Sequence, residues 1–457
     1  MEDITNNLCR YVSAVRFEDI NPNATLVAKK STLDTLGAML AGSTAEGVDT
    51  IVDLAKGWGG TEEAHLVGTS HKLPAPLAAL CNGSMARAME IDDCLDFLPV
   101  HPSASIIPAL MALAELKGSM SGRDFLTALT IGQDIIIRMG LTVRQNILQS
   151  GRNNMFDIFG STAALAKAMG YGIKEVRNAF GISFSFAIGD GQSILDGALT
   201  VRLQQGLVAQ GALVSTLLAS RGFTGAQDFL LGKHGYLRAF EPDPRIEYLT
   251  NDIGKAFYGE MISFKPFSSC RGTHEAIELA LKFRTQAKID PKSIRRIMVW
   301  VSPEIHKLLG SPRDVKIKPE SPPVAQFSIQ FTVAAALIKG DFFLKELQDK
   351  SIKDSKILDL AERVYVEQDP SLRTDFAVGK TVMEIELEGS PSIKDEINLP
   401  LGNPSRPMGY EACVEKFLKC APHSTHVLEK NRLEELVEMV YRLEDIPEIS
   451  DLISYLY

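Results

Sequence analysis

A change in hydrophobic periodicity near residue 255 is the feature that most constrains how this chain can fold. Before that point, stretches rich in Ala, Leu, Ile and Met carry apolar residues at steps of three and four, which predicts α-helices. Some of these stretches, such as residues 105–116 and 125–139, are apolar on most faces, so we expect helices packed inside other helices. Beyond it, residues 294–301 and 380–387 alternate with period two and carry β-branched side chains, which predicts half-buried strands.

Helical periodicity returns from Tyr410 to the end of the chain, after a turn-rich segment at residues 402–408. The sequence therefore predicts a mostly α fold, in which a large all-helical domain is interrupted by a smaller α+β lid domain. We place the helical domain at residues 1–260 and 402–457. The lid then covers residues 261–401, about 140 residues, which is within the usual size of a domain.

The charge balance and the cysteine pattern limit the partners and the compartment. The chain has 48 Lys and Arg against 57 Asp and Glu, a formal net charge of −9, whereas a nucleic-acid binder needs a basic face. The longest apolar stretches are too short for a membrane span, and the acidic start is unlike a secretory or mitochondrial leader. Six scattered cysteines without a CxxC pair fit reduced thiols. We expect a cytoplasmic protein without a nucleic-acid or membrane partner.

The densest polar cluster follows a predicted helix at about residues 76–91. Its sequence is Glu90-Ile-Asp92-Asp93-Cys-Leu-Asp96, followed by Val100-His101-Pro-Ser. Carboxylates are unfavourable at a helix C-terminus, where the macrodipole is already negative, so a base, a metal or a buried hydrogen bond should compensate them. Several carboxylates and an imidazole in one loop are suited to proton transfer at neutral pH. The alternative is a solvated acidic loop whose histidine is bound by a backbone carbonyl.

The same cluster also allows a metal interpretation. Asp92-Asp93-x-x-Asp96 is literally DDxxD, the pattern with which all-helical isoprenoid synthases hold magnesium and a diphosphate. Those enzymes need a second metal motif, and the best candidate, residues 251–260, has Lys255 where a hydroxyl ligand belongs. Magnesium demands near-octahedral oxygen ligands, so this interpretation is the weaker one. Motifs for nucleotide, flavin or zinc binding are not found in the sequence, and we expect no cofactor and no metal.

A basic stretch lies where the helical periodicity gives way to the predicted lid, a place where clefts are common. Its sequence is Phe264-Lys265-Pro-Phe-Ser-Ser-Cys270-Arg271-Gly-Thr-His274. A guanidinium such as that of Arg271 can bind a carboxylate bidentately, and the alternative is an interdomain salt bridge. Arg152 and Arg202 are weaker candidates of the same kind.

Several segments spread along the chain carry a resemblance to a known family. They are Asn82-Gly-Ser-Met-Ala-Arg-Ala-Met-Glu90-Ile-Asp92-Asp93, His101-Pro-Ser-Ala104, Gly160-Ser-Thr-Ala-Ala164, Arg202-Leu-Gln-x-Gly206, Lys265-Pro-Phe-x-x-Cys270-Arg271-x-x-His274, Ala325-Gln-Phe-Ser-Ile329 and Pro404-x-Arg406-Pro-Met408. Together they resemble the MmgE/PrpD family, which includes 2-methylcitrate dehydratase, cis-aconitate decarboxylase and iminodisuccinate epimerase. The resemblance implies a helical domain made from both chain ends, an α+β lid, a homodimer and no cofactor.

The resemblance also implies roles for individual residues. The family's reactions make or break a bond next to a carbon activated by carboxylates, so they need a group that moves a proton and cations that stabilise the developing charge. Asp93 and His101 stand at matching positions as acid/base candidates. Lys265, Arg271 and His274 would hold substrate carboxylates from the lid side.

The chain departs from the family's pattern at several positions of the expected site. Gly151-Arg152-Asn153 replaces Gly-x-His, Val201-Arg202-Leu-Gln-Gln-Gly206 replaces Lys-x-Leu-His-x-Gly, Phe331 replaces the active-site Tyr, Glu90 replaces the first Asp, and Cys94 replaces a Thr. The family's His, Lys and Tyr, three groups that transfer protons or bind charge, are thus absent together, with Asn153, Val201 and Phe331 in their places. We therefore include Glu90, Arg152 and Arg202 among the expected substrate-binding residues, with the two arginines as new anchors.

These observations predict a cofactor-independent lyase, of the dehydratase or decarboxylase type, that acts on a small di- or tricarboxylate. Proton transfer next to a carboxylate would be its central step. An epimerase or isomerase on a dicarboxylate is the first alternative, because it needs no leaving-group acid and tolerates the missing His and Tyr. A catalytically weakened homodimer that binds a carboxylate without turnover is the second.

Overall fold

The first half of the chain forms a layered array of helices. The computed structural model describes residues 3–98, 100–144, 151–152, 155–372 and 378–457. The helices up to residue 240 are α1 (Ile4–Ala14), α2 (Pro22–Gly42), α3 (Val48–Trp58), α4 (Ala75–Ala88), α5 (Pro102–Lys117), α6 (Gly122–Thr142), α7 (Asp157–Ala168), α8 (Ile173–Ser183), α9 (Gln192–Leu195), α10 (Thr200–Ser220) and α11 (Tyr236–Phe240). A two-stranded ribbon of β1 (Ala64–His65) and β2 (Lys72–Leu73) precedes α4.

Helix α5 lies at the centre of this array. Every side chain from Pro102 to Ala114 is buried, which confirms the expectation of a helix surrounded by other helices. Helices α4 and α10 approach closely at Gly83 and Gly206. A Cβ atom added at Gly83 would lie 2.8 Å from the Gly206 Cα, so only glycine permits this crossing.

The lid contains a four-stranded sheet in the order β4-β3-β5-β6. Its strands are β3 (Ile294–Val301), β4 (Val364–Gln368), β5 (Thr381–Leu387) and β6 (Ser390–Ile397). Strand β3 pairs in parallel with β4 and antiparallel with β5, which is antiparallel to β6. Around the sheet are α12 (His274–Thr285), α13 (Pro303–Ile305), α14 (Arg313–Ile317), α15 (Pro322–Gln326), α16 (Ile329–Lys339), α17 (Asp349–Ile352) and α18 (Ser355–Ala361).

The last helices return to the helical array. They are α19 (Tyr410–Cys420), α20 (Lys430–Tyr441) and α21 (Ile449–Ile453). One buried apolar cluster runs from Leu8 to Phe264 and resumes at Met408, while a second extends from Phe267 to Ile397. The predicted mostly α fold with a smaller α+β region is confirmed. Among the described helices, none combines the length and apolar character that crossing a bilayer requires.

Candidate active site

The candidate site is built on the loop that joins α4 to α5. Helix α4 ends at Ala88, and Glu90 has a φ of 53°, a left-handed conformation that residues other than glycine rarely adopt. Helix α5 starts at Pro102, whose ring suits the first helical position, and this leaves His101 just outside the helix with a non-helical backbone. A bridge between Cys94 and Ser263 ties the loop to the segment that leads into the lid.

Five charged or titratable side chains meet at this loop, and all of them are buried. Lys265 Nζ lies 2.9 Å from Glu90 Oε2 and 3.7 Å from Asp92 Oδ1. Arg87, on the last turn of α4, forms an ion pair with Glu90 and lies 3.6 Å from Asp92 Oδ1 through its Nη1 atom. His101 Nδ1 lies 2.8 Å from Asp92 Oδ2. The two cations and two carboxylates compensate each other around the imidazole.

The electrostatics of the cluster fix its protonation at neutral pH. Burial by itself would raise the pKa of Asp92, but the nearby His101, Arg87 and Lys265 outweigh burial and hold that pKa well below its usual value. Burial and the charge of Arg87 lower the pKa of His101 below the usual histidine value of about 6.5, although Asp92 acts in the opposite direction. Asp92 is therefore ionised and His101 is neutral at pH 7.

This protonation determines which nitrogen of His101 is free to react. The 2.8 Å contact does not have the geometry of a hydrogen bond, but an ionised carboxylate this close to Nδ1 favours the tautomer of the neutral imidazole that carries its proton on that nitrogen. Nε2 then has a lone pair, and His101 lines a cavity of about 70 Å³, here called the inner cavity. A histidine oriented in this way by a carboxylate is equipped to act as a general base.

The inner cavity lies between the helical array and the lid. Arg87, Glu90, His101 and Lys265 line it together with Arg271, and its remaining wall is formed by the residues Cys94, Leu95, Ile194, Cys270, Gly272, Ile305, Leu308, Phe327 and Val378. Burial raises the pKa of the Cys94 thiol to about 12 and that of Cys270 to about 11. Both are therefore protonated thiols at neutral pH, and neither is activated as a nucleophile.

Asp93, predicted as an acid/base residue, points away from the inner cavity. Its carboxylate accepts hydrogen bonds from Ser31 Oγ at 2.8 Å and from Ser103 Oγ at 2.5 Å. It also accepts one from the Ser103 backbone amide at 3.1 Å, in the first turn of α5, so it caps that helix. Burial and the neighbouring Asp34 raise the pKa of Asp93 to about 7. The carboxylate that lies beside His101 is that of Asp92, whereas Asp93, the predicted acid/base residue, does not line the inner cavity.

Arg271 and His274, predicted to hold substrate carboxylates, take part in a buried network of their own. Arg271 binds Asp96 bidentately, with 2.7 Å from Nε to Oδ1 and 3.1 Å from Nη2 to Oδ2. Its Nη1 donates to the Leu401 carbonyl at 2.8 Å and lies 3.3 Å from His274 Nδ1. Burial and the charge of Arg271 keep the pKa of His274 well below its usual value, so that ring is neutral. Arg271 lines the inner cavity, but its guanidinium is already held in an ion pair with Asp96.

The two arginines proposed as new anchors lie outside the inner cavity. Arg152 Nη1 is 2.8 Å from Glu241 Oε1, and the side chain lines a separate outer cleft. Arg202 is buried and donates to the Glu46 carbonyl. Of the departures from the family pattern, Phe331 is buried in the lid core, and Asn153 lies outside the described residues. Of the predicted substrate-binding residues, Glu90, Lys265 and Arg271 line the inner cavity with His101.

The sequence reasoning missed Arg87 as a site residue and did not assign a role to Asp92. Arg87 precedes Glu90 by three residues, a spacing that brings side chains together on a helix, and this was the available signal. The carboxylates of the DDxxD pattern also diverge, because Asp92 faces His101, Asp93 faces Ser31 and Ser103, and Asp96 faces Arg271. Within the described part of the chain, no group of three potential metal ligands converges. The geometry does not fit a metal–diphosphate site.

The fold and the site together define a class: two-domain proteins with a buried, carboxylate-oriented histidine at the junction of a helical domain and an α+β lid. The chain belongs to the MmgE/PrpD family, because the model of the MmgE/PrpD N-terminal domain matches residues 6–249 and that of the C-terminal domain matches residues 267–442. The resemblance inferred from the motifs is confirmed.

Similar proteins span nearly the whole chain. A cis-aconitate decarboxylase-like protein, oryM, of Aspergillus oryzae is 25% identical, with 99% of this chain and 97% of the relative covered. Cis-aconitate decarboxylase of Aspergillus terreus is 24% identical over 99% of this chain and 96% of the relative. Cis-aconitate decarboxylase of Homo sapiens is 23% identical over 100% of this chain and 95% of the relative.

Proposed function

We propose that the protein is a lyase of the dehydratase or decarboxylase type that acts on a di- or tricarboxylate by proton transfer, without a cofactor. The observation that carries this proposal is the buried His101–Asp92 pair. His101 lines the inner cavity, and its Nε2 atom is the ring nitrogen that Asp92 leaves free. Relatives named as cis-aconitate decarboxylases support the same reaction class.

The chemistry follows from the protonation of this pair. Neutral His101 takes a proton from the carbon next to a substrate carboxylate, and the ionised Asp92 stabilises the imidazolium that forms. Arg87 and Lys265 stabilise the negative charge that develops on the carboxylate. In a dehydration, the neighbouring C–O bond then breaks, a C=C bond forms, and the imidazolium returns the proton to the leaving hydroxide as water.

A neutral histidine favours dehydration over decarboxylation as the first choice. Decarboxylation breaks a C–C bond, releases carbon dioxide and needs an acid that delivers a proton to the carbanion. His101 has a lowered pKa, so at pH 7 its free nitrogen carries no proton. Lys265 is the other donor at the cavity, but against the effect of burial the charges of Glu90 and Asp92 raise its pKa, which makes it a weak acid. Removal of a proton is the step for which His101 is prepared, and this step begins a dehydration.

An epimerase is the second candidate. It also begins with proton removal and needs no acid for a leaving group. Among the described residues that line the inner cavity, His101 is the one imidazole and none is a tyrosine, which favours a reaction with few acid groups. Lys265, on the lid side, is the available proton donor for the opposite face of the substrate.

Proton NMR of the purified protein in heavy water tests these possibilities. The panel comprises citrate, 2-methylcitrate, cis-aconitate and iminodisuccinate, each with and without EDTA. A new olefin identifies dehydration, loss of a carboxylate identifies decarboxylation, and deuterium exchange without net conversion identifies an epimerase. We expect EDTA to leave turnover unchanged. Equal turnover by the His101→Ala variant, or absence of conversion and exchange both for this panel and for the alkyl-substituted acids described below, would reject proton transfer at this site.

The assembly and the compartment are proposals as well. The resemblance to the family implied a homodimer, and light scattering during gel filtration should then give a mass of twice 50.0 kDa. A monomer at micromolar concentration would contradict it. A cytoplasmic location is tested by fractionation of cells that express the chain at its natural level.

A further inference from the structure

The inner cavity carries little uncompensated positive charge. Its three described cations, Arg87, Lys265 and Arg271, all have carboxylate partners within the protein. Those partners are Glu90, Asp92 and Asp96, so the described charges around the cavity cancel. Each further substrate carboxylate that enters must compete with a protein carboxylate for the same cation, and burying an uncompensated charge is costly. This balance disfavours a substrate that is charged along its whole length.

The inner cavity is also small. Its volume is about 70 Å³, whereas small-molecule sites in proteins usually measure roughly 300–1,000 Å³. A carboxylate-bearing head can enter, but the rest of an ordinary metabolite needs additional space. Among the described residues, one neighbouring cleft is large enough to hold that remainder.

That space is the outer cleft, with a volume of about 540 Å³. It lies between residues 191–195 of the helical array and residues 303–311 of the lid. Ile194 and Leu308 line both the outer cleft and the inner cavity, so the two spaces are neighbours that share an apolar wall. A molecule whose head lies beside His101 and whose other end lies in the outer cleft would therefore displace these two side chains from the wall between the spaces.

Part of the lining of the outer cleft is apolar next to Ile194 and Leu308. Leu195 and Pro303 adjoin Ile194 and Leu308, and the Leu195 side chain is 59% exposed even though it belongs to the cleft. The charged groups Arg152, Glu304 and Lys307 and the imidazole of His306 also line the cleft, and Arg152 is already paired with Glu241. A cleft of this volume beside a buried candidate base is a place where the remainder of a ligand can bind.

We propose that the substrate is a carboxylic acid with an apolar substituent of several carbon atoms, whose carboxylate head enters the inner cavity and whose substituent lies against Leu195, Pro303 and Leu308. This inference rests on the proposed function, because it assumes that the reacting head lies beside His101. It extends that function by naming the substrate class: a substituted, amphipathic di- or tricarboxylate in place of a compact one such as citrate.

A chain-length series tests the inference on the purified full-length protein. The probes are citrate and its 2-methyl, 2-butyl, 2-hexyl and 2-octyl derivatives, with malate and 3-alkylmalates as the matching dicarboxylate series. Affinity is measured by calorimetry and turnover by the olefin signal in NMR. Each methylene that becomes buried should tighten binding by about fourfold, until the substituent fills the cleft. An affinity that is flat or that falls with chain length would overturn the inference.

Two matched variants locate the binding surface. Leu195→Asp should weaken binding of the hexyl compound by about tenfold or more while changing that of the unsubstituted acid by less than twofold. Leu54→Asp is the control, since Leu54 is 55% exposed on α3 and does not line the cleft. Equal effects of the two substitutions would overturn the inference. A change of molecular mass in Leu195→Asp, without a change in chain-length preference, would also overturn it, because the cleft would then be a contact between copies.

The outcomes separate the inference from the proposed function. Efficient turnover of the unsubstituted acids with no gain from the substituent would leave the lyase proposal intact and reject the outer cleft as a substrate site. Chain-length-dependent binding that Leu195→Asp weakens, without turnover or deuterium exchange of any probe, would support the outer cleft as a ligand site and reject the lyase.

Discussion

His101 Nδ1 lies 2.8 Å from Asp92 Oδ2, and both side chains are buried where the helical array meets the lid. Arg87 and Lys265 keep the carboxylate ionised, and burial keeps the imidazole neutral. The contact therefore favours the tautomer of His101 that has the proton on Nδ1 and the lone pair on Nε2. The predictions on catalysis follow from this arrangement, and those on stability follow from the buried charges around it.

His101→Ala should lower kcat/KM by about 100- to 10,000-fold, because the variant loses the general base. The fold should remain, since His101 lies just outside α5 and the helix start is fixed by Pro102. Circular dichroism and thermal unfolding report the fold, and NMR reports turnover. The matched control is His71→Ala at an exposed histidine, which should keep full activity. Activity of His101→Ala within a few-fold of the unmodified protein would remove this residue from the mechanism.

Asp92→Asn and Asp93→Asn distinguish the two neighbouring carboxylates. Asp92→Asn should reduce kcat by about 100-fold or more, because an amide can accept or donate and no longer fixes the proton on Nδ1. Asp93→Asn should change kcat less than tenfold, since Asp93 binds Ser31 and Ser103. Steady-state kinetics on both proteins measure the difference. The opposite ranking would restore the acid/base role that the sequence predicted for Asp93.

The value of kcat/KM should stay high as the pH falls to 6.5 and should decline only at lower pH. A general base is active only when it is unprotonated, so a lowered pKa moves the loss of activity to lower pH. Because burial and Arg87 lower the pKa of His101 from 6.5, the acid limb should lie below that value. Asp92 raises this pKa, so residual activity of Asp92→Asn should have its acid limb lower still. A limb at or above pH 6.5 in the unmodified protein would contradict the assignment.

Arg271→Ala should destabilise the protein by about 3–5 kcal/mol, because it leaves Asp96 buried without its bidentate partner. Denaturant unfolding measures the free energy. The double variant Arg271→Met with Asp96→Asn should be more stable than Arg271→Ala and recover much of the lost free energy of unfolding, since the buried charge is then removed with its partner. A variant of full stability whose KM alone rises would instead support the sequence-based expectation that Arg271 anchors a substrate carboxylate.

Glu275→Gln should change how stability depends on pH. Glu275 is buried on α12, and burial raises its pKa from 4.5 to about 8. Between these values the folded protein keeps a proton that the unfolded chain loses, so this group's contribution is complete below pH 4.5 and is lost as the pH rises towards 8. The slope is about 1.4 kcal/mol per pH unit. Glu275→Gln should lose this slope and be relatively more stable at pH 8. Parallel stability curves for both proteins from pH 5 to 8 would contradict the shift.

The fold was predictable where periodicity and burial coincide. Strand β3 has the range that alternation predicted and β5 begins one residue later than predicted, because one face of each lies in the lid core. Strand β6 was not predicted: it is an edge strand with most of its residues exposed or half-buried, so its sequence carries no apolar face. The domain limits at residues 260 and 402 stay a prediction, although the two apolar clusters change over near both.

The loop that carries the chemistry was predictable, but the pairing within it was not. Acidic residues and a histidine between two apolar helices indicated a site from composition alone. Which carboxylate meets the imidazole depends on the left-handed turn at Glu90 and on the start of α5 at Pro102, and both are products of packing. The same turn directs Asp93 to Ser31, a residue 62 positions away in sequence that no local pattern connects to it.

The sequence by itself determined the helical and strand segments, the family and the stretches that contribute to the site. Local periodicity and motif spacing encode these, because they depend on residues that are neighbours along the chain. Only the tertiary structure decided that Arg271 is held by Asp96, that Arg152 lies in the outer cleft, and that Ile194 and Leu308 separate this cleft from the inner cavity. These relationships join side chains from distant segments, and burial fixes both their distances and their protonation.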